Sequence, residues 1–141
     1  MATMEMTGHW ELNRSENFDN FLKACGLNFL WRKAASTAKP SVQITEDGDS
    51  FEIVTKTSYR TQSMKFSIGV EFDSYVPWDD NKTHRMIAEW DAGRLIIQVS
   101  DCDDGVESAV FIREILDDEL VLTQRLGNVE TKRYFKRPAT S

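Results

Sequence analysis

The feature that most constrains this chain is a change of period near Pro40. Beyond it, apolar residues recur at every second position: Val42 and Ile44, Phe51 and Ile53, then Met64, Phe66, Ile68 and Val70. The same spacing returns at Leu95, Ile97 and Val99, at Phe111 and Ile115 on either side of Arg113, and at Leu120 and Leu122. Successive side chains of a strand point to opposite faces, so the pattern predicts strands with one face turned inward. Turn residues separate the runs at Asp47-Gly48, Asp91-Ala92-Gly93, Asp104-Gly105, Asp117-Asp118 and Gly127-Asn128. Short strands joined by tight turns predict an antiparallel meander that closes on itself.

Before Pro40 the spacing is different. A short extended piece around Trp10 to Leu12 leads to Ser15, a candidate N-cap. Phe18, Phe21, Leu22 and Cys25 then repeat at helical spacing, and Gly26 closes the segment as a C-cap glycine does. A second helical stretch runs from about Asn28 to Thr37 and stops short of Pro40. The predicted order is one strand, a helical hairpin over about 15–37, and an all-β remainder, within a single domain spanning 1–141.

Bulk properties narrow the function. The 141 residues suffice for one core, and a net charge of -6 disfavours nucleic acid as a partner. No apolar run is long enough to cross a bilayer, and Met1 to Trp10 lacks the pattern of a secretory signal. The expectation is a cytoplasmic protein with Cys25 and Cys102 reduced. Neither cysteine has metal-ligand spacing. His9 and His84 flank no nucleophile or phosphate loop, and His84 is expected at the surface near a strand start. No enzyme, cofactor or metal is expected.

Two arginines carry the functional argument. Arg113 shares strand parity with Phe111 and Ile115, and Arg133 shares it with Phe135, opposite to Lys132, Tyr134 and Lys136. If the apolar parity faces inward, both guanidinium groups enter the barrel. An unpaired buried cation is costly, and the planar guanidinium fork suits a carboxylate. Parity alone leaves open the alternative in which both project to solvent.

The chain resembles the intracellular lipid-binding proteins, a family that includes fatty-acid-binding and cellular retinoid-binding proteins. The matching stretches are Gly8-His9-Trp10-Glu11-Leu12, Glu16-Asn17-Phe18-Asp19-Asn20-Phe21-Leu22 and Ala34-Ala35-Ser36-Thr37-Ala38-Lys39-Pro40. Gly69-Val70-Glu71-Phe72-Asp73, Ile112-Arg113-Glu114-Ile115, Leu126-Gly127-Asn128-Val129 and Arg133-Tyr134-Phe135-Lys136-Arg137 follow in order, so the likeness runs from about Gly8 to Arg137. It implies an all-β fold: a ten-stranded antiparallel up-and-down β-barrel (a clam) around a water-containing cavity. A helix-turn-helix lid follows the first strand. A lipocalin would instead have eight strands and a helix after the barrel.

The resemblance also implies site residues. Arg113 and Arg133 match the two arginines that hold a ligand carboxylate, expected together at the closed end of the barrel. Phe135 stands where fatty-acid carriers have tyrosine, which leaves a two-arginine or water-mediated clamp. Pairing Lys132 with Tyr134 instead would need a gap in the preceding hairpin. Phe18, Phe21 and Leu22 match cavity-facing lid residues and Tyr59 the portal aromatic. Pro40, Thr57, Phe111, Leu122 and Gln124 match the cavity lining, with Gln124 where leucine is frequent. The portal aspartate is Asp79 or Asp80. Lys23, Arg32 and Lys33 match a basic lid cluster tied to transient membrane contact and nuclear entry. The implied function is intracellular, non-covalent carriage of a long-chain fatty acid or similar hydrophobic carboxylate by a monomer. Retinoic acid is the alternative ligand, and a lipid-processing enzyme the alternative of another class. Retinol carriers with phenylalanine at this position have glutamine in place of the arginine, so Arg133 favours an acid over an alcohol.

Overall fold

The computed structural model describes residues 6–58, 60–77, 79–100 and 109–138, without the side chains of Asp79 and Asp80. Strand β1 (Gly8–Glu16) is followed by helices α1 (Phe18–Ala24) and α2 (Phe29–Thr37). Nine strands then run in sequence: β2 (Ser41–Asp47), β3 (Ser50–Lys56), β4 (Thr61–Ser67), β5 (Phe72–Val76), β6 (Asp79–Asp91), β7 (Arg94–Val99), β8 (Ala109–Leu116), β9 (Glu119–Leu126) and β10 (Val129–Lys136). They form one sheet in the order β4-β3-β2-β1-β10-β9-β8-β7-β6-β5. Each strand pairs antiparallel with a chain neighbour, and β1 also pairs with β10. That last pairing curls the meander into a nearly closed barrel, with β4 and β5 meeting along the seam.

Local chemistry explains the hairpins. Asp117 (φ 51) and Asp118 (φ 67) both take left-handed backbone, the two-residue turn whose twist matches the strands it joins. Ala92 (φ 52) and Gly93 (φ 82) do the same between β6 and β7. The expected alternation through Ile68 and Val70 stops earlier than the pattern suggests. β4 ends at Ser67, Gly69 turns at φ 78, and Val70 is exposed. Ser15 is no helix cap, because it lies within β1. Asn17 precedes α1 instead, and its side-chain amide donates to the Glu130 carbonyl at 2.9 Å, tying the hairpin to β10. Asn28 caps α2 by accepting from the Trp31 amide at 3.0 Å.

The inner face of the sheet forms the core. Trp10, Ile44, Ile53, Met86, Ile97 and Phe135 are all at most 2% exposed. At the end away from the helices, Phe66 stacks on Phe51 and Phe72 with centroids 5.6 and 5.2 Å apart. Trp90 meets Phe51 edge-on at 6.1 Å, which completes an aromatic floor at this end. Beside it, the Arg137 guanidinium lies 3.9 Å from the Trp10 ring centroid and donates to the Thr7 carbonyl, pinning the two chain ends together. His84 corrects its sequence expectation: it is 5% exposed, on the same strand parity as Met86 and Ala88.

Candidate functional site

Cross-strand register sets the site out in rows. Leu122 of β9 lies opposite Arg113 on β8 and opposite Arg133 on β10, so the two arginines flank one leucine on the inner face. One row toward the helices stand Phe111, Gln124 and Thr131. One row toward the floor stand Ile115, Leu120 and Phe135. Side chains in adjacent rows of one face are separated by two residues, or about 7 Å along a strand.

The two arginines differ in environment. Arg113 is 8% exposed, its Nη1 has no hydrogen-bond partner, and burial pulls its pKa down to about 10. It therefore stays protonated at neutral pH although burial opposes its charge. Arg133 is half-buried, its Nε donates to Ser15 Oγ at 3.0 Å, and its guanidinium sits 3.8 Å over the Phe18 ring. The pair is thus not gathered at the closed end as expected. Arg133 turns up toward α1, because Ser15 and Phe18 offer it a hydroxyl and an aromatic face.

Tyr134 points the other way. Its hydroxyl is hydrogen-bonded to the Glu16 carboxylate, which raises its pKa, and the Arg14 guanidinium lies 3.5 Å from its ring centroid. Lys132 Nζ bonds Thr123 Oγ1 at 3.3 Å. The frame that would place Lys132 and Tyr134 at the site is excluded, and Phe135 holds the inner position.

A cavity of about 400 Å³ opens beneath the helical hairpin, within the range of small-ligand sites. Phe18, Phe21, Leu22, Pro40, Thr57, Gln124 and Arg133 line it, all anticipated from sequence. Arg113, Phe111, Leu122 and Phe135 are buried on the inner face but do not line it. Tyr59 lies outside the described residues, as do the side chains that would identify the portal aspartate. Sequence reasoning missed Leu27, Trp31, Thr55, Arg60, Gln62, Pro77 and Asn81 in the wall. Thr55 and Gln62 extend the inward parities of Ile53 and Met64, so their placement was available to anyone following period two past its last apolar residue. At the mouth, the Thr57 amide donates to the Arg60 carbonyl at 2.8 Å, and the Arg60 guanidinium donates to the Pro77 carbonyl.

The hairpin has its own electrostatics. Arg32 pairs with Asp19 at 3.1 Å and donates to the Leu27 carbonyl at 2.9 Å, fastening α2 to α1. It is therefore withdrawn from the open basic cluster anticipated with Lys23 and Lys33, which are exposed. Beside Lys33, Phe29, Leu30 and Trp31 are 64%, 75% and 59% exposed. Burial pushes the Cys25 thiol up to about 12, which disfavours its thiolate form. Among the described residues, no His, Cys, Asp and Glu cluster could hold a metal, and no helix is long and apolar enough to cross a membrane.

Comparison with known proteins gives a consistent result. The model described as the lipocalin / cytosolic fatty-acid binding protein family matches residues 7–137. The chain is 31% identical over 134 residues to a fatty acid-binding protein of Tyrophagus putrescentiae, covering 95% of this chain and 98% of that one. It is 35% identical over 133 residues to cellular retinoic acid-binding protein 1 of Gallus gallus, covering 92% and 96%. A solved Schistosoma mansoni fatty acid binding protein in complex with arachidonic acid superposes with a TM-score of 0.86 at 26% identity, covering 99% and 100%.

The isolated charge of Arg113 has a measurable consequence. Its lowered pKa means that burial opposes the charged form at every pH below about 10, so the penalty is fully present at neutral pH and is relieved only above that value. Arg113→Leu should stabilise the ligand-free protein by about 1–3 kcal/mol, or roughly 3–10 °C in Tm. A ligand-free variant that melts below the parent would show that the guanidinium is already compensated.

Proposed function

This chain belongs to the lipocalin / cytosolic fatty-acid binding protein family, and from that premise we propose that it binds and transports a long-chain fatty acid or similar hydrophobic carboxylate inside the cell. The observation that carries the reading is Arg113: a buried guanidinium with a free Nη1, one leucine away from an arginine that lines a lid-covered cavity. A carboxylate drawn between Arg113 and Arg133 would supply the missing acceptor, and Phe135 beneath them would offer packing but no hydroxyl. The ligand is held non-covalently and without a cofactor, and the protein acts as a monomeric carrier rather than an enzyme, in the cytosol and with access to the nucleus.

The energetics suit this. Burying about fourteen methylenes at ~0.8 kcal/mol each offers roughly 11 kcal/mol, from which lost freedom subtracts several. A charge-assisted hydrogen bond adds about 1.5–3 kcal/mol. The tail supplies affinity and the arginines supply orientation. Retinoic acid satisfies the same head-group chemistry, and the likeness to a retinoic acid-binding protein supports it as the second ligand. Delivery would use the lid: Phe29, Leu30 and Trp31 beside Lys23 and Lys33 suit a shallow contact with an anionic bilayer.

Two experiments test this reading. Arg133→Ala should weaken binding of a fatty acid about tenfold more than binding of the matching fatty alcohol, measured by displacement of a fluorescent acyl probe. Equal losses would contradict a carboxylate contact. Reversing the charge of Lys23 and Lys33 together should slow ligand transfer to anionic vesicles several-fold and leave transfer to neutral vesicles unchanged. An unaltered rate on anionic vesicles would remove membrane contact from the account.

A further inference from the structure

Two hydrogen-bonding atoms in the cavity wall lack partners, and neither belongs to an arginine. Gln124 is 5% exposed, faces inward from β9, and its Oε1 accepts nothing. Gln62, half-buried on β4, has a buried Nε2 that donates to nothing. Both line the same cavity, whose remaining wall includes Phe18, Phe21 and Leu22. Buried polar atoms without partners are rare in folded proteins and usually mark a place for water or ligand.

The chemistry of the two atoms restricts what can fill that place. A plain acyl chain presents only C–H groups and would seal both amides away from water, which is unfavourable. A carboxylate accepts hydrogen bonds but donates none, so it cannot satisfy the Gln124 oxygen. The head group is also engaged elsewhere, because Gln124 stands one row toward the lid from the row of Arg113 and Arg133. A hydroxyl is donor and acceptor in one group, so it satisfies a carboxamide whichever end the amide presents.

We propose that the cavity has a second polar subsite, formed by Gln124 and Gln62, for a hydroxyl carried along the chain of the ligand. The chemical class is then a hydroxylated long-chain carboxylate. This rests on the fatty-acid reading above and adds a contact one row away from the arginines.

The test is displacement of a fluorescent acyl probe by stearic acid and by a panel of hydroxystearic acids that differ in hydroxyl position. It uses the parent protein, Gln124→Leu and Gln62→Leu, each first shown by thermal melting to be folded. At least one hydroxy isomer should bind the parent about fivefold or more tighter than stearate, the factor that one net buried hydrogen bond supplies. Gln124→Leu should bind stearate more tightly and lose the preference, and Gln62→Leu should reduce it. The subsite is overturned if no isomer outperforms stearate on the parent, or if the preference survives in both variants. Failure of stearate and every hydroxystearate to displace the probe would instead overturn the fatty-acid reading itself, and the subsite with it.

Discussion

Inside a nearly closed barrel a positive charge has few ways to be compensated. Arg113 arrives there because it occupies an inward parity between Phe111 and Ile115 on β8, a strand paired on both sides. The strand cannot turn one side chain outward without slipping register and exposing its apolar neighbours. The guanidinium is therefore held in place by the burial of other residues, at a cost that its own contacts do not offset. A ligand that brings an anion and an apolar tail relieves that cost and fills the space beneath the lid at once.

The rest of the fold divides the work between its two ends. At the floor, the rings of Phe51, Phe66, Phe72 and Trp90 contact one another in sequence, and short hairpin turns with left-handed residues join the strands. This end supplies stability. At the lid end the wall carries Thr55, Thr57, Gln62 and Gln124, and α1 and α2 rest on it through few anchors. Asn17 ties the hairpin to β10, Arg32 ties α2 to α1, and Phe18 lies under Arg133. Those polar contacts are individually modest and exposed, whereas Phe21 and Leu22 bury α1 in the core itself.

Much of this was legible in the sequence. Period-two apolar spacing identified β2, β3, β7, β8 and β9, and Asp117-Asp118 and Ala92-Gly93 marked real turns. Inward parity put Phe135 and Arg133 on one face and Tyr134 on the other. The misses have physical causes. Ile68 and Val70 continued an apolar alternation into a turn, where Gly69 ends pairing and only backbone geometry reveals it. His84 hid on β6 because one polar residue in an inward row resembles a surface position until its neighbours Met86 and Ala88 are counted with it. Arg32 resembled part of a basic face, and only the fold brings Asp19 to it. The orphaned atoms of Gln62 and Gln124 depend on what lies opposite each side chain, which no spacing encodes.

A carboxylate held between buried Arg113 and half-buried Arg133 should stay ionised. Carbon-13 NMR of a fatty acid labelled at its carboxyl carbon, bound to the protein and titrated from neutral pH downward, tests it directly. Beside Arg113 and Arg133 the carboxylate should remain ionised, its resonance unmoved through the pH range near 4–5 where free carboxyl groups protonate. A resonance that titrates as it does in water would place the head group in solvent and contradict the account.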